Sequence, residues 1–182
     1  LNEALDKFFD EKFKLVKRAL LAVKLSAPSA EIDKFGYALN EISINRKNTT
    51  AMLSIATQID KEFLTTYWAD GLIIATPTGS TGYSLSSGGP ILTPETKGIV
   101  LNPIAPHNLN IRPLVVPDKA KIEISVDGRG EDHLLSLDSR IFTIENRTKI
   151  YIKKAPFSIF TLELEGDNYF KTLRTKLFWG YD

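Results

Sequence analysis

The residues best placed for chemistry lie in one stretch, Asp70-Gly71-Leu72-Ile73-Ile74-Ala75-Thr76-Pro77-Thr78-Gly79-Ser80-Thr81-Gly82-Tyr83-Ser84-Leu85-Ser86-Ser87-Gly88-Gly89-Pro90. An apolar run feeds a tight turn of glycines and hydroxyls, and the pattern predicts a helix over 81–87. Hydroxyl side chains accept the amide hydrogens that a helix start leaves unbonded. Small residues let a ligand approach the backbone, and exposed amides there suit a phosphate or another anion. Tyr83 adds a flat face and one hydroxyl, which fit a base or a ribose. The same residues also fit a structural turn capped by Ser and Thr. No Lys follows the glycines, so the stretch is not a P-loop. The Gly-x-Gly-x-x-Gly spacing of a dinucleotide fingerprint is absent.

Two further polar groups interrupt apolar surroundings. Asp70 stands at the entry to the Leu72–Ala75 run, either as an exposed strand-end carboxylate or as an acceptor for ligand hydroxyl or amide groups. Asn40 and Glu41 lie inside an otherwise apolar strand, Ala38 to Ile44; alternation accounts for Glu41, whereas Asn40 beside it breaks the alternation. Other chemistries are poorly supplied. The chain has no cysteine and two histidines, His107 and His133. Disulfides and thiolate metal sites are thereby excluded. Neither histidine has the neighbours of a charge relay, and His133, next to Asp132, is expected at a surface turn. No acid pair has spacing that specifies glycoside chemistry.

The elements that must position these groups read mostly as strands. Alternation or short apolar runs predict strands near 15–26, 37–44, 51–59, 63–68, 72–75, 99–101, 114–116, 122–126, 133–137, 140–145, 149–154 and 159–164. Prolines 103, 106, 113 and 117 each remove a ladder donor, so the strands between them should be short or irregular. Short helices are expected over 2–9 and from about Asn168 to Leu177, with 26–30 as a connection. Strands this closely spaced leave no room for repeated crossover helices, so the expected fold is mainly β, a two-layer β-sandwich-like domain with short terminal helices. Residues 1–182 are taken as one such domain, with 1–15 and 167–182 as helical or linking segments. With 182 residues, 43% hydrophobic and 25% charged, the chain has the make-up of an ordinary globular domain. A net charge of +1 gives no support for nucleic-acid binding. No run of 18 apolar residues suggests a membrane span. A chain that begins at Leu1 and holds one methionine, Met52, reads as a segment of something longer.

Several ordered segments together resemble the C-terminal part of bacterial NAD kinases. They are Asn40-Glu41; Phe63 to Leu72; Thr76-Pro77-Thr78-Gly79-Ser80-Thr81-Gly82-Tyr83-Ser84-Leu85-Ser86 with Gly88-Gly89-Pro90; Pro103 to His107; Arg112-Pro113-Leu114-Val115; Ser125-Val126-Asp127-Gly128; and Leu173 to Gly180. Arg18 with Leu21 resembles the family's preceding Arg-containing strand. The resemblance implies a β domain that binds substrate and mediates assembly, paired in the family with an N-terminal α/β domain.

The implied reaction transfers a phosphoryl group from ATP, or polyphosphate in some members, to the 2′-hydroxyl of the adenosine ribose of NAD, giving NADP, with a divalent metal such as magnesium accompanying the donor. It further implies a homodimer or homotetramer and a cytoplasmic location. Carried over, Asn40 and Glu41 would bond the adenosine side, Thr78, Thr81 and Tyr83 would line the adenine and ribose pocket, and Ser86 would count among the nucleotide-binding residues. Asp70 would accept from a carboxamide or base amine, and Ala105 would border a pocket shared between subunits. Gly82 stands where the family usually has Ala, which should enlarge the cavity slightly. Asp70, Asn40 and Glu41 are expected to converge on the turn after Ala75. The family's Gly-Gly-Asp-Gly loop, whose Asp is the proposed base, has no counterpart, so no catalytic residue and no metal ligand is assigned and the isolated chain is expected to be inactive. The alternative is a non-catalytic module that binds an adenine dinucleotide or serves oligomerisation. Phe8, Phe9, Leu173 and Trp179 are expected to be unusually exposed.

Overall fold

The computed structural model describes residues 2–47 and 52–179. The chain divides into two compact units, one of residues 19–158 and one of residues 2–18 with 159–179. Twelve strands and four short helices make up the described residues. In order they are α1 (Asn2–Phe9), β1 (Phe13–Leu25), α2 (Ala30–Phe35), β2 (Tyr37–Ala38), β3 (Glu41–Asn45), β4 (Leu53–Ile59), β5 (Glu62–Ala69), β6 (Gly71–Ala75), α3 (Tyr83–Ser86), β7 (Gly98–Ile104), β8 (Leu114–Pro117), β9 (Ile122–Asp127), β10 (Asp132–Leu137), β11 (Arg140–Glu145), β12 (Lys149–Leu164) and α4 (Tyr169–Leu177). The expected mainly β, sandwich-like class holds. The strands form two six-stranded sheets, ordered β2-β1-β12-β9-β4-β5 and β11-β10-β3-β6-β7-β8.

In the larger unit, alternation builds the layer between the sheets. Ile122, Ile124 and Val126 of β9 turn inward, as do Ile42 and Ile44 of β3, Leu72 and Ile74 of β6, and Leu135 and Leu137 of β10, all in one buried cluster. Removing such side chains from water is the main favourable contribution to folding. On the other face of the second sheet, Ile73, Ala75 and Val100 pack with Leu92 and Ile104. Strand β6 is therefore buried along its whole length, as its uninterrupted apolar sequence requires. Pro103 sits in β7 opposite Leu72. It is tolerated because the β8 ladder ends at Leu101, so no donor is needed on that side.

Several expected elements differ. The single strand over 37–44 is two strands in different sheets, because the chain crosses from one layer to the other at Leu39–Asn40. The two strands expected over 149–154 and 159–164 are one. Pro156 lies beyond Ile152, where the β9 ladder has ended, so it removes no bond to β9. Helix α2 was not expected; its six residues bury one side chain, Ile32, too little to make a periodic signal. The strand expected over 51–59 begins at Leu53, and Ala51 lies outside the described residues.

In the smaller unit, the outer ends of β1 and β12 face each other. Arg18 Nε donates to Thr161 Oγ1 at 3.1 Å, and Lys14 pairs with Glu163 at 2.8 Å. Residues Phe13–Leu15, expected to link, open β1. Helix α4 is capped by Asn168, whose side chain accepts from the Lys171 amide at 2.8 Å. Phe8, Phe9 and Trp179 are exposed as expected, but Leu173 is buried, because it falls on the inward face of α4.

Candidate functional site

Strand β6 delivers the chain into the glycine and hydroxyl turn; Thr76 ties that turn to the β2–β3 crossover, and Ser80 braces it internally and against Leu92. The Thr76 amide donates to Asn40 O at 2.9 Å. Thr76 Oγ1 donates to Leu39 O at 2.6 Å and accepts from the Gly79 amide at 3.1 Å. Ser80 Oγ donates to Pro77 O at 2.7 Å and accepts from the Leu92 amide at 2.9 Å. A Cβ on Gly79 would lie 2.1 Å from Asn40 O, so the turn presses on the Asn40 backbone as only glycine permits. Beneath α3, the buried Asn102 donates from Nδ2 to Ser84 O at 2.8 Å.

The helix expected over 81–87 is shorter than its pattern suggested. A 3-10 turn, Gly79–Thr81, is followed by Gly82 and the four-residue α3. One turn of helix aligns few peptide dipoles, so the expected anion site at a helix start loses its basis. What remains is a ledge of exposed groups, Thr81, Gly82, Tyr83 and Ser86, with Thr78 half-buried.

Glu41 stands beside this ledge. A Cβ on Gly82 would be 3.6 Å from Glu41 Oε2, so an Ala at that position would touch the carboxylate, and the glycine leaves that space open. Glu41 is half-buried. Among the described residues no hydrogen bond joins its carboxylate or the Asn40 side-chain amide to the protein. Burial first, and then the neighbouring Asp138 charge, hold the Glu41 carboxyl above the usual carboxylate range. A desolvated acceptor without a donor is costly in the empty state, and hydroxyl or amine donors from a ligand would relieve it.

Seven of the nine predicted site residues thus gather at one end of β6: Asn40, Glu41, Thr78, Thr81, Gly82, Tyr83 and Ser86. Asp70 and Ala105 do not join them. Strand β6 pairs Ala75 with Glu41 at one end and Gly71 with Asn45 and Ile104 at the other. Six residue steps separate Asp70 from Thr76, about 20 Å along a strand. The expected convergence of Asp70 with Asn40 and Glu41 is therefore corrected: both flank the same apolar strand, but at opposite ends. At its own end Asp70 pairs with Arg46 at 2.9 Å, and its amide donates to Ile104 O at 3.0 Å. Ala105 follows with a left-handed φ of 45°, and the His107 amide donates to Trp68 O at 2.8 Å.

His133 is also corrected. It is fully buried on β10 rather than at a surface turn, because it falls on the inward-facing register of the β10–β11 hairpin, opposite Ile144. Its Nδ1 lies 3.0 Å from Asn146 Oδ1. A groove of about 820 Å³ is lined by Ala22, Ile32, Tyr37, Ile122, Tyr151 and Pro156 among others and contains none of the predicted site residues. No group of three His, Asp or Glu side chains that could hold a metal ion occurs among the described residues. No helix among them is long and apolar enough to cross a membrane.

Sequence reasoning missed Asp138 and Arg140, which secure the crossover from the β10–β11 turn. Asp138 accepts from the amides of Leu39, Asn40 and Glu41 at 2.8, 2.7 and 3.2 Å. Arg140 donates to Phe35 O at 2.7 Å and to Tyr37 O, with its guanidinium over the Phe35 ring. An acid in a two-residue turn between alternating strands was the available signal.

Residues 39–163 match the ATP-NAD kinase C-terminal domain. Among relatives, the NAD kinase of Christiangramia forsetii is 52% identical over the whole of this chain and 62% of its own length. That of Flavobacterium psychrophilum is 53% identical over 95% of this chain and 59% of its own length. The chain thus spans about three fifths of the length of these curated relatives. Among solved structures, yeast NADH kinase complexed with NADH superposes with a TM-score of 0.87 at 28% identity, covering 100% of this chain and 53% of that one. An NAD kinase from Archaeoglobus fulgidus in complex with ATP gives 0.72 at 27% identity, covering 90% and 59%.

Proposed function

The chain belongs to the ATP-NAD kinase C-terminal domain family, and on that premise we propose that it supplies the dinucleotide-binding part of an NAD kinase. The observation that carries this reading is the half-buried Glu41 carboxylate, without a donor of its own, beside the exposed hydroxyls and ring of the 78–86 ledge. Glu41 and Asn40 take the hydroxyl and amine donors of the adenosine. Tyr83 offers its ring face to a base, and Thr78, Thr81 and Ser86 offer hydroxyls. The space over Gly82 admits the ligand edge to Glu41. Asp70 and Ala105, a strand length away, serve a site shared with a second copy, in a homodimer or homotetramer.

In the whole reaction the ribose 2′-oxygen forms a bond to the terminal phosphorus of ATP as the bond to the ADP oxygen breaks, and the hydroxyl proton passes to a base. This chain orients the acceptor for that step and holds no Gly-Gly-Asp-Gly loop to take the proton, so we assign it no turnover alone. Its described side chains do not assemble a cation site. A magnesium ion accompanying the donor would be bound mainly by the donor's phosphates.

Titration calorimetry with NAD tests the reading. The chain should bind NAD, and Glu41→Gln should weaken binding about tenfold or more, since hydrogen bonds to a charged group contribute about 1.5–3 kcal/mol. Saturating NAD should also raise the melting temperature, as binding to the folded state requires. Absence of both a binding heat and a melting shift would refute dinucleotide binding. A coupled assay should detect no NADP formation by the chain alone, and robust turnover would refute the assignment of the base to residues outside it.

A further inference from the structure

We propose that Asp138 is a positioning residue of this site, holding the Asn40–Glu41 segment in the orientation that a ligand meets. The inference rests on the reading of Asn40 and Glu41 as ligand-binding groups. Its basis is the crossover. Where the chain leaves β2 in one sheet for β3 in the other, neither ladder supplies acceptors for the intervening amides. One carboxylate replaces them: Asp138 Oδ2 accepts from Leu39, and Oδ1 accepts from both Asn40 and Glu41. The Asp138 amide returns a bond to Glu41 O at 3.0 Å. Asp138 itself is held in the left-handed region, with φ of 51°, by the tight turn between β10 and β11. The same turn segment carries Arg140, bonded to the Phe35 and Tyr37 carbonyls. A single hairpin therefore grips the chain on both sides of the crossover, and the two ligand-facing residues follow directly from the gripped backbone.

A second consequence is electrostatic. The Asp138 charge faces Glu41, and among the described residues no cation offsets it there. The elements packed around Glu41 contribute few ionisable groups. The β10–β11 hairpin brings Asp138 and Arg140, the latter committed to backbone carbonyls. Helix α3 brings the Tyr83 hydroxyl. From Gly71 to Pro94 the sequence has no Asp, Glu, Lys or Arg. Asp138 therefore adds to the effect of burial in raising the Glu41 carboxyl. A residue that merely satisfied three amides would orient the backbone without changing the acidity of Glu41 in this way.

The test compares wild type, Asp138→Asn, Asp138→Ala and Glu41→Gln in this chain. Asp138→Asn keeps one acceptor oxygen but no charge. In a carbon-13 NMR titration its Glu41 midpoint should fall below that of wild type. Amide exchange at residues 39–41 should accelerate about tenfold or more, from the strength of bonds to a charged acceptor. NAD affinity should drop by about the same factor, with the midpoint of its pH dependence moved to lower pH, and Glu41→Gln should abolish that pH dependence. An unchanged Glu41 midpoint, or unchanged exchange at 39–41, overturns the inference. If wild type binds no NAD, the proposed function falls, while the titration and exchange still decide the role of Asp138. If Asp138→Ala does not fold, Asp138→Asn carries the test.

Discussion

Replacing Gly79 by alanine should damage both stability and ligand binding, and the magnitude follows from the contact it creates. The new carbon would lie 2.1 Å from Asn40 O, 2.4 Å from its carbonyl carbon and 2.7 Å from its Cα. Carbon atoms in contact settle at about 3.5–4.0 Å, so the turn must retreat by about 1 Å. Every atom met is backbone, and that backbone cannot yield freely, since Asp138 holds the Asn40 amide at 2.7 Å and Thr76 donates to its carbonyl at 2.9 Å. Retreat would stretch the Thr76 bonds to Leu39 and Asn40. Overpacking costs about 1–3 kcal/mol, and each lost hydrogen bond adds about 1 kcal/mol, so a total of about 3–5 kcal/mol is expected. At about 2–4 °C per kcal/mol for a chain of this size, the melting temperature should fall by about 6–20 °C.

Gly82→Ala is the matched control. Its Cβ would meet Gly79 O at 3.3 Å and Glu41 Oε2 at 3.6 Å, which shifts of a few tenths of an ångström would absorb. It should melt within about 4 °C of wild type, as a change below about 1 kcal/mol implies. Thermal melts of the three proteins, followed by NAD titration of those that fold, decide the matter. If Gly79→Ala melts with wild type, or if both substitutions cost the same, then close approach to Asn40 is not what requires glycine.

Thr76→Val, nearly the same shape, removes both the bond to Leu39 O and the acceptor for the Gly79 amide; leaving partly buried groups unpaired should cost about 1–3 kcal/mol, and denaturant midpoints equal to wild type would count against the tether. His133 is held neutral by burial, which pushes its pKa down; among the described residues its Nε2 has no partner. The unfolded chain therefore binds the extra proton first, so stability is lost as pH falls through the unfolded value of about 6.5 towards the lower folded value. Urea midpoints between pH 7 and 5 should show this loss in wild type and a flatter profile in His133→Gln, and parallel profiles would refute it. Glu41→Gln should bind NAD poorly yet melt about 2 °C higher than wild type near neutral pH, because it removes a desolvated charge facing Asp138; a lower melting point would show that Glu41 is stabilised by its surroundings.

The strands that bury one face were legible because their alternation survives in the residues: Ile122, Ile124 and Val126 needed no tertiary information. The break at Leu39–Asn40 was not legible, since a change of sheet leaves both flanking segments looking extended and apolar. The glycine and hydroxyl turn, with Asn40 and Glu41, announced the site through residue types. Asp70 belonged to the same pattern along the chain, but adjacency in sequence on a strand means distance in space, and the register placed it at the far end of β6. Asp138 was invisible for the opposite reason. Its partners lie about a hundred positions earlier, and an acid in a turn is ordinary until the amides that it serves are known.

The enclosure of β6 restricts how the two polar clusters at its ends could ever change their spacing. With both faces sealed and a neighbour bonded on each edge, inserting one residue would rotate Ile73 and Ile74 into each other's layers. Lengthening is compatible with the packing only by two residues at a time, a jump of about 6.6 Å. Adaptation to a longer or shorter molecule therefore cannot proceed by small adjustments along this strand and must fall to the loops at either end.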